Sequence, residues 1–284
     1  MSLYDALVYF PLYSFLGWCL EVCYQAVSKG LVVNRGFLNG PICPIYGIGV
    51  IGCVLIVESV FDMPAEQVPG LWLFAFGLVF ATGIELAGGW ILDKLFHARW
   101  WDYRDRRFNM NGYVCLEFSI IWGLGIVFVL REIYPFISGL LSFMRPSAAS
   151  YIILAATYLV IAADIVVSAM IVAGMNRRFK DIDDLSRLMR RTSDRLSTRI
   201  GEGTIDRMEQ LSEKTIETRF SLDEIRDELE ANLASRKKAL LAAAERRRFV
   251  GMGRLIRAYP DMRHRYYDDI LGEIRKNITS GPKR

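Results

Sequence analysis

The sequence predicts an all-α polytopic membrane protein, a bundle of about five transmembrane helices followed by a cytoplasmic helical tail. Three observations predict it. The 284-residue chain is 52% hydrophobic, yet only nine basic and 12 acidic residues precede Asn176, while 26 and 19 follow from there. Five apolar stretches are long enough for a bilayer, which takes roughly 20 residues at the helical rise. The remainder has helical periodicity and no such stretch. The chain therefore divides into a transmembrane domain, 1–175, and a helical or coiled-coil tail, 176–284.

In order, the spans fall at about 5–28, 44–61, 69–93, 113–133 and 150–174. The first lacks the basic flank and small-residue cleavage site of a signal peptide and is expected to be retained. The second opens on Pro44, which suits a first helical turn because no amide hydrogen bond is lost there. Lys29, Arg35, Lys94, Arg99, Arg104, Arg106 and Arg107 fall in the loops of one side, against Arg131 and Arg145 on the other. That asymmetry places the Arg-rich loops in the cytoplasm. With five spans the N-terminus is then outside the cell membrane and the tail, opening on "NRRFK", inside.

Two strings break the apolar pattern. "NGPICPIYG" begins at Asn39 and "NGYVCLEFSIIWG" at Asn111, so Asn-Gly-x-[Ile/Val]-Cys occurs twice. Each copy precedes an outward-running span, follows an inward-running span that carries a glutamate, and is followed by an aromatic-Gly pair. We read 5–61 and 69–133 as a diverged parallel repeat of two helix pairs, with the fifth span added. The spacings differ, because the aromatic residue follows the cysteine by three residues in one copy and seven in the other.

Glu21, Glu85 and Glu117 are expected at similar depth near the cytoplasmic side, level with Asn39, Asn111, Cys43 and Cys115. An ionised side chain in hydrocarbon costs several kcal/mol at least and persists where it is paired, protonated or wetted. One reading is a polar substrate pathway for a cationic or proton-coupled ligand, its Gly-Pro backbone tolerated because it lines a cavity. The other is that these groups lock helices together by hydrogen bonds or snorkel to the interface. Asp164, deep in the fifth span, is a further candidate for either role.

The loop "HARWWDYRDRRFNMNGY" concentrates arginines and aromatics. It fits an aromatic and positively charged interface belt, or a surface for lipid head groups in which Arg35, Arg99, Trp101 and Arg104 take part, with Asp102 and Asp105 available for internal pairing. The two histidines, His97 and His264, make no His-rich metal site and no Ser-His-Asp constellation. No G-x-x-x-x-G-K-[ST] phosphate loop is present, so the chain has no such route to ATP. Cys19, Cys23, Cys43, Cys53 and Cys115 lack paired Cys-x-x-Cys spacing and read as small apolar packing groups. No catalytic residue, cofactor or metal is assigned.

"FLGWCLEVCYQ", "NRGFLNGPICPIYGIG" and "WWDYRDRRFNMNGYVCLEFSIIWG" together resemble a bacterial membrane family, the "putative ABC-transporter permease" family called type IV. The resemblance covers about 10–135, and "RLIRAYPDMRHRYYDDILGEI" is similar to that family's tail. It implies a permease role and brings no catalytic residues with it.

In the tail, Ile182, Leu185, Leu188, Met189 and Leu196 recur at helical spacing until "GEG" at 201–203 is expected to interrupt them. A second helix follows, in which "SLDE" at 221–224 marks a break or a fresh start and Leu222, Ile225, Leu229 and Leu233 form a stripe. A helical hairpin or coiled coil is expected, with the basic run "ERRRFVGMGRLIRAYPDMRHR" contacting anionic lipid or forming a solvated face. The whole reads as a permease-like component of a transport system that needs a separate energising partner such as a cytosolic ATPase. Its expected partners are membrane lipids, that ATPase through the tail, and further copies of itself, with no nucleic acid. An intramembrane enzyme using Glu and Cys residues, or a scaffold recruiting proteins through the tail, are the alternatives.

Overall fold

The computed structural model describes residues 1–30, 32–142, 146–206, 213–246 and 251–279. Helix α1 is Leu3–Lys29, capped by Ser2, whose hydroxyl accepts from the Asp5 amide while the Asp5 carboxylate accepts in return. It ends where Gly30 turns left-handed at φ 65°. Helix α2 is Pro44–Phe61, with Pro44 in its first turn, and α3 is Gly70–Phe96. Helix α4, Leu116–Phe128, passes through a π-turn at Val129–Ile133 into α5, Tyr134–Leu141, and the three make one span. Helix α6 runs from Ala148 to Asp206, so among the described residues five helices are long and apolar enough to cross a membrane.

The fourth span extends eight residues beyond the expected end at 133, through Pro135. Proline lacks an amide and breaks a regular ladder, but the π-turn just before it has already shifted the hydrogen-bond register. A second proline, Pro11, lies inside α1 and leaves the Leu7 carbonyl without its helical donor. The Tyr158 hydroxyl of α6 donates to that carbonyl at 3.1 Å, which satisfies it and ties α1 to α6.

The expected interruption at 201–203 is absent, because α6 stays helical through "GEG" to Asp206. Glycine costs an exposed helix only about 1 kcal/mol, which the long flanking helix absorbs. Nor does "SLDE" start a helix, since α7 runs unbroken over Glu213–Arg246. The 59 residues of α6 give a rod of about 90 Å, more than twice the hydrocarbon thickness. The boundary at 175/176 thus falls within one continuous helix. Helix α7 packs back along it, with Arg236 3.4 Å from Asp181, and is followed by α8, Met252–Ala258, and α9, Asp268–Thr279.

Helix α1 packs chiefly on α2, and α3 on α4. Two apolar cores lie apart. Tyr9, Tyr13, Val54, Leu73, Leu130 and Ile137 belong to the first, within the helix bundle. Val172, Phe179, Leu240, Leu255, Met262 and Leu271 belong to the second, where α6, α7, α8 and α9 meet at the end of the bundle from which α6 continues. Among the described residues, four two-residue strands finish that end. Strand β1 (Ala98–Arg99) pairs antiparallel with β4 (Arg263–His264), and β2 (Asn109–Met110) with β3 (Val114–Cys115). The tail is thereby woven into the loops of the membrane-spanning part.

Candidate functional site

The irregular segment 32–43 has its backbone satisfied from two sides. From α6, the Asp164 carboxylate accepts from the Asn39 amide at 3.1 Å, the Asn39 side chain at 3.0 Å and the Gly40 amide at 2.7 Å. From α8, the Arg254 guanidinium donates to the carbonyls of Asn34, Gly36 and Phe37 at 3.1, 2.7 and 3.0 Å. An anion thus meets the amides and a cation the carbonyls, which is how a non-helical segment is sustained among helices. Trp18 and Asn34 add side-chain bonds, and Ser168 joins Asp164 and Asn39.

Beside this segment lies a polar centre. Glu21 pairs with Arg35 at 3.0 Å and accepts from the Tyr46 hydroxyl at 2.7 Å, while Arg35 also donates to Gln25 at 2.9 Å. The Tyr46 ring meets Trp122 edge-on with centroids 5.8 Å apart, and the Trp122 indole lies beside the Glu85 carboxylate. Glu85 accepts from the Tyr103 hydroxyl at 3.1 Å, and its buried Oε2 has no hydrogen bond of good geometry among the described residues, with the Trp122 indole close by. The chain from Glu21 through Tyr46 and Trp122 to Glu85 joins the two helix pairs. In both repeat copies the aromatic residue of the aromatic-Gly pair serves the glutamate of its own pair.

Glu117 stands apart, more than half exposed at the start of α4 and paired with Arg106 at 3.1 Å. Asn39 is bonded to Asp164, Ser168 and Gly251, whereas Asn111 is exposed in the β2–β3 turn at φ 52°, its carbonyl accepting from Arg99. The two asparagines share no bonding partner. Cys43 and Cys115 are both buried just ahead of their helices. Burial first, and the nearby Glu21 charge second, push the Cys43 thiol up to about 12, which keeps it protonated and unsuited to nucleophilic chemistry.

The arginine and aromatic side chains expected at lipid head groups bond within the protein. Arg35 serves Glu21. Arg99 lies 3.6 Å from Asp93 and 4.5 Å over the Tyr113 ring, Trp101 donates to the Tyr113 carbonyl, and Arg104 binds Asp102 at 2.6 Å. The same holds for the described part of the C-terminal basic run, since Arg254 is 2% exposed, Arg263 lies 3.3 Å from Asp102 and Arg265 lies 2.7 Å from Asp93. Partial burial pushes the Asp102 carboxyl up, and the bonds from Arg104 with the charge of Arg263 outweigh it and hold the group below its ordinary range. Among the described residues no group of three His, Cys, Asp or Glu could hold a metal ion.

A family model described as putative ABC-transporter type IV matches residues 8–169. The chain belongs to that family. No curated protein and no solved structure matches. The ABC-transporter type IV match takes in Glu21, the 32–43 segment, Glu85 and Asp164, and stops short of Arg254, Arg263 and Arg265. Sequence reasoning did not single out Arg254, Tyr46, Trp122 and Asp93 individually. Tyr46 and Trp122 were signalled by the repeated aromatic-Gly pair. Arg254 was hidden in a basic run, where nothing local separates a buried arginine from a solvated one.

Proposed function

We propose that the chain is the membrane-embedded component of a transport system that works with a separate ATPase, and that the Glu21–Glu85 centre lies on its substrate path. Glu85 carries this reading. It is a buried carboxylate in an apolar helix with no cation paired to it among the described residues, only the Tyr103 hydroxyl and the Trp122 indole, and hydrocarbon tolerates such a group where a proton or cation is taken up. Glu21 has its charge met by Arg35, so the pair supplies one compensated and one uncompensated acid. That chemistry fits a cationic or proton-coupled substrate, with Tyr46, Tyr103 and Trp122 around it. The family description supports an ABC system, and a sequence without a phosphate loop fits ATP hydrolysis by another subunit. The paired helices α6 and α7, a coiled-coil-like arm, are the surface we assign to that subunit, in the cytoplasm where the basic loops belong.

The test is purification of the full chain from its native membranes, with sequencing of associated proteins and measurement of ATP hydrolysis. A stoichiometric partner carrying the phosphate-loop motif is expected. Glu85→Gln should assemble with it and lose substrate-stimulated hydrolysis. No such partner, or an unchanged Glu85→Gln complex, sinks the proposal. A scaffold is the second reading, favoured by the complete pairing of Glu21 and Asp164 within the chain. It requires that Glu85→Gln be silent.

A further inference from the structure

We propose that residues 251–268 form a lid over the polar centre, with Arg254 as its latch, and that lid release gives the aqueous phase access to Cys43 and the Glu21–Arg35 pair. The lid comprises α8, the Tyr259 turn and β4, beyond the residues matched by the family model. Its inner side holds two groups over the centre. Arg254, almost wholly buried, spends its guanidinium on the carbonyls of Asn34, Gly36 and Phe37. Tyr259 places its ring 5.9 Å from the Arg35 guanidinium that pairs with Glu21, and packs edge-on against Trp100 at 5.0 Å. Both lie close enough to Cys43 to act on its thiol electrostatically, and Cys43, whose thiol donates to the Arg35 carbonyl, is 7% exposed. The Gly251 amide, at 3.4 Å from Asn39 Oδ1, closes the near edge.

The two faces of the lid differ in their share of polar contacts. Toward the tail, Leu255, Ile256 and Met262 enter an apolar core with α6, α7 and α9, a core that also takes in Trp100 and, at its edge, Phe37 and Phe96. There it is also fitted closely, since a Cβ on Gly253 would overlap the Ala244 carbonyl of α7. Toward the membrane-spanning part the lid adds polar contacts to the Tyr259–Trp100 packing: Arg254 on carbonyls, Arg263 on Asp102, Arg265 on Asp93 and Lys29 on Asp261. Water can replace polar contacts of this kind far more readily than it can enter an apolar core. Loss of the Arg254 bonds therefore loosens the loop side of the lid first, while the close fit of Gly253 on α7 keeps it on the tail. This inference stands apart from any transport activity.

Thiol reactivity of the full-length protein in detergent tests it. Cys43 is kept as the sole cysteine in one chain and Cys115, 1% exposed in β3, in another, and each is compared with and without Arg254→Ala. Arg254→Lys is made in parallel, because it keeps the cation and loses the planar donor set, and it decides by the same criterion if the alanine chain does not assemble. The expected result is maleimide modification of Cys43 about tenfold faster or more, as local opening without global unfolding gives, with Cys115 unchanged. An unaltered Cys43 rate overturns the lid. So does an equal rise at Cys43 and Cys115, which reports general loosening.

Discussion

His264 is held neutral by its burial and its hydrogen bonds. It is 3% exposed in β4, its Nδ1 accepts from the amides of Tyr266 and Tyr267 at 3.2 Å each, and its Nε2 is left to donate to Asn176 Oδ1 at 3.2 Å. Burial lowers its pKa to about 4, helped by His97 and opposed by Asp268 and Asp93. An unfolded histidine titrates near 6.5. Between those values the unfolded chain binds a proton that the folded chain refuses, so stability falls with falling pH. The contribution is whole above about 6.5 and lost progressively toward about 4. Thermal unfolding in detergent across that range should show this slope, and His264→Asn, which keeps an acceptor and cannot titrate, should flatten it while lowering the midpoint at neutral pH. An equal slope in both proteins would remove His264 as its source.

At the scale of elements, the repeated aromatic-Gly pair has two jobs in each copy. The aromatic ring reaches the glutamate, and the glycine lets the partner helix approach. A Cβ on Gly47 would overlap the Ser14 hydroxyl and come within 2.6 Å of the Phe10 carbonyl oxygen on α1, whereas one on Gly123 would meet only the Phe74 and Leu78 side chains of α3, at 3.0 to 3.2 Å. Side chains yield and backbone does not. Gly47→Ala should therefore destabilise the α1–α2 pair by about 1–3 kcal/mol, the usual cost of overpacking, and Gly123→Ala by less. Unfolding midpoints of the two variants, measured side by side, check the order. This repeat was legible because it is a local string, as were the five apolar spans and the basic loops. The π-turn before Pro135 and the continuity of α6 through Gly201 were not, since each depends on the neighbours a helix finds. The pairing of Asp164 with the 39–40 amides was out of reach for the same reason, its partners lying about 125 residues away.

At the scale of the whole molecule, the contacts remove one freedom that charge counting alone leaves open. Segment 32–43 is bonded to Arg254, β1 to β4, and Asp93 to Arg265, so both of those loops and the described tail occupy the same side whatever the orientation. Five crossings would set the N-terminus opposite the tail. Which side is the cytoplasm rests on the basic residues, and seven of the nine in the membrane-spanning part fall on the tail's side. Lys94, 5.9 Å over the exposed Trp90 ring in the last turns of α3, is the kind of snorkelling pair that marks a head-group boundary there. A cysteine-free chain carrying one introduced cysteine at a time reads the orientation directly. Ser2→Cys and Glu66→Cys should react with an impermeant maleimide on intact cells, and Asp184→Cys on α6 only after permeabilisation. Labelling of Asp184→Cys on intact cells, with Ser2→Cys protected, would invert the protein and turn the α6–α7 arm away from any cytosolic ATPase.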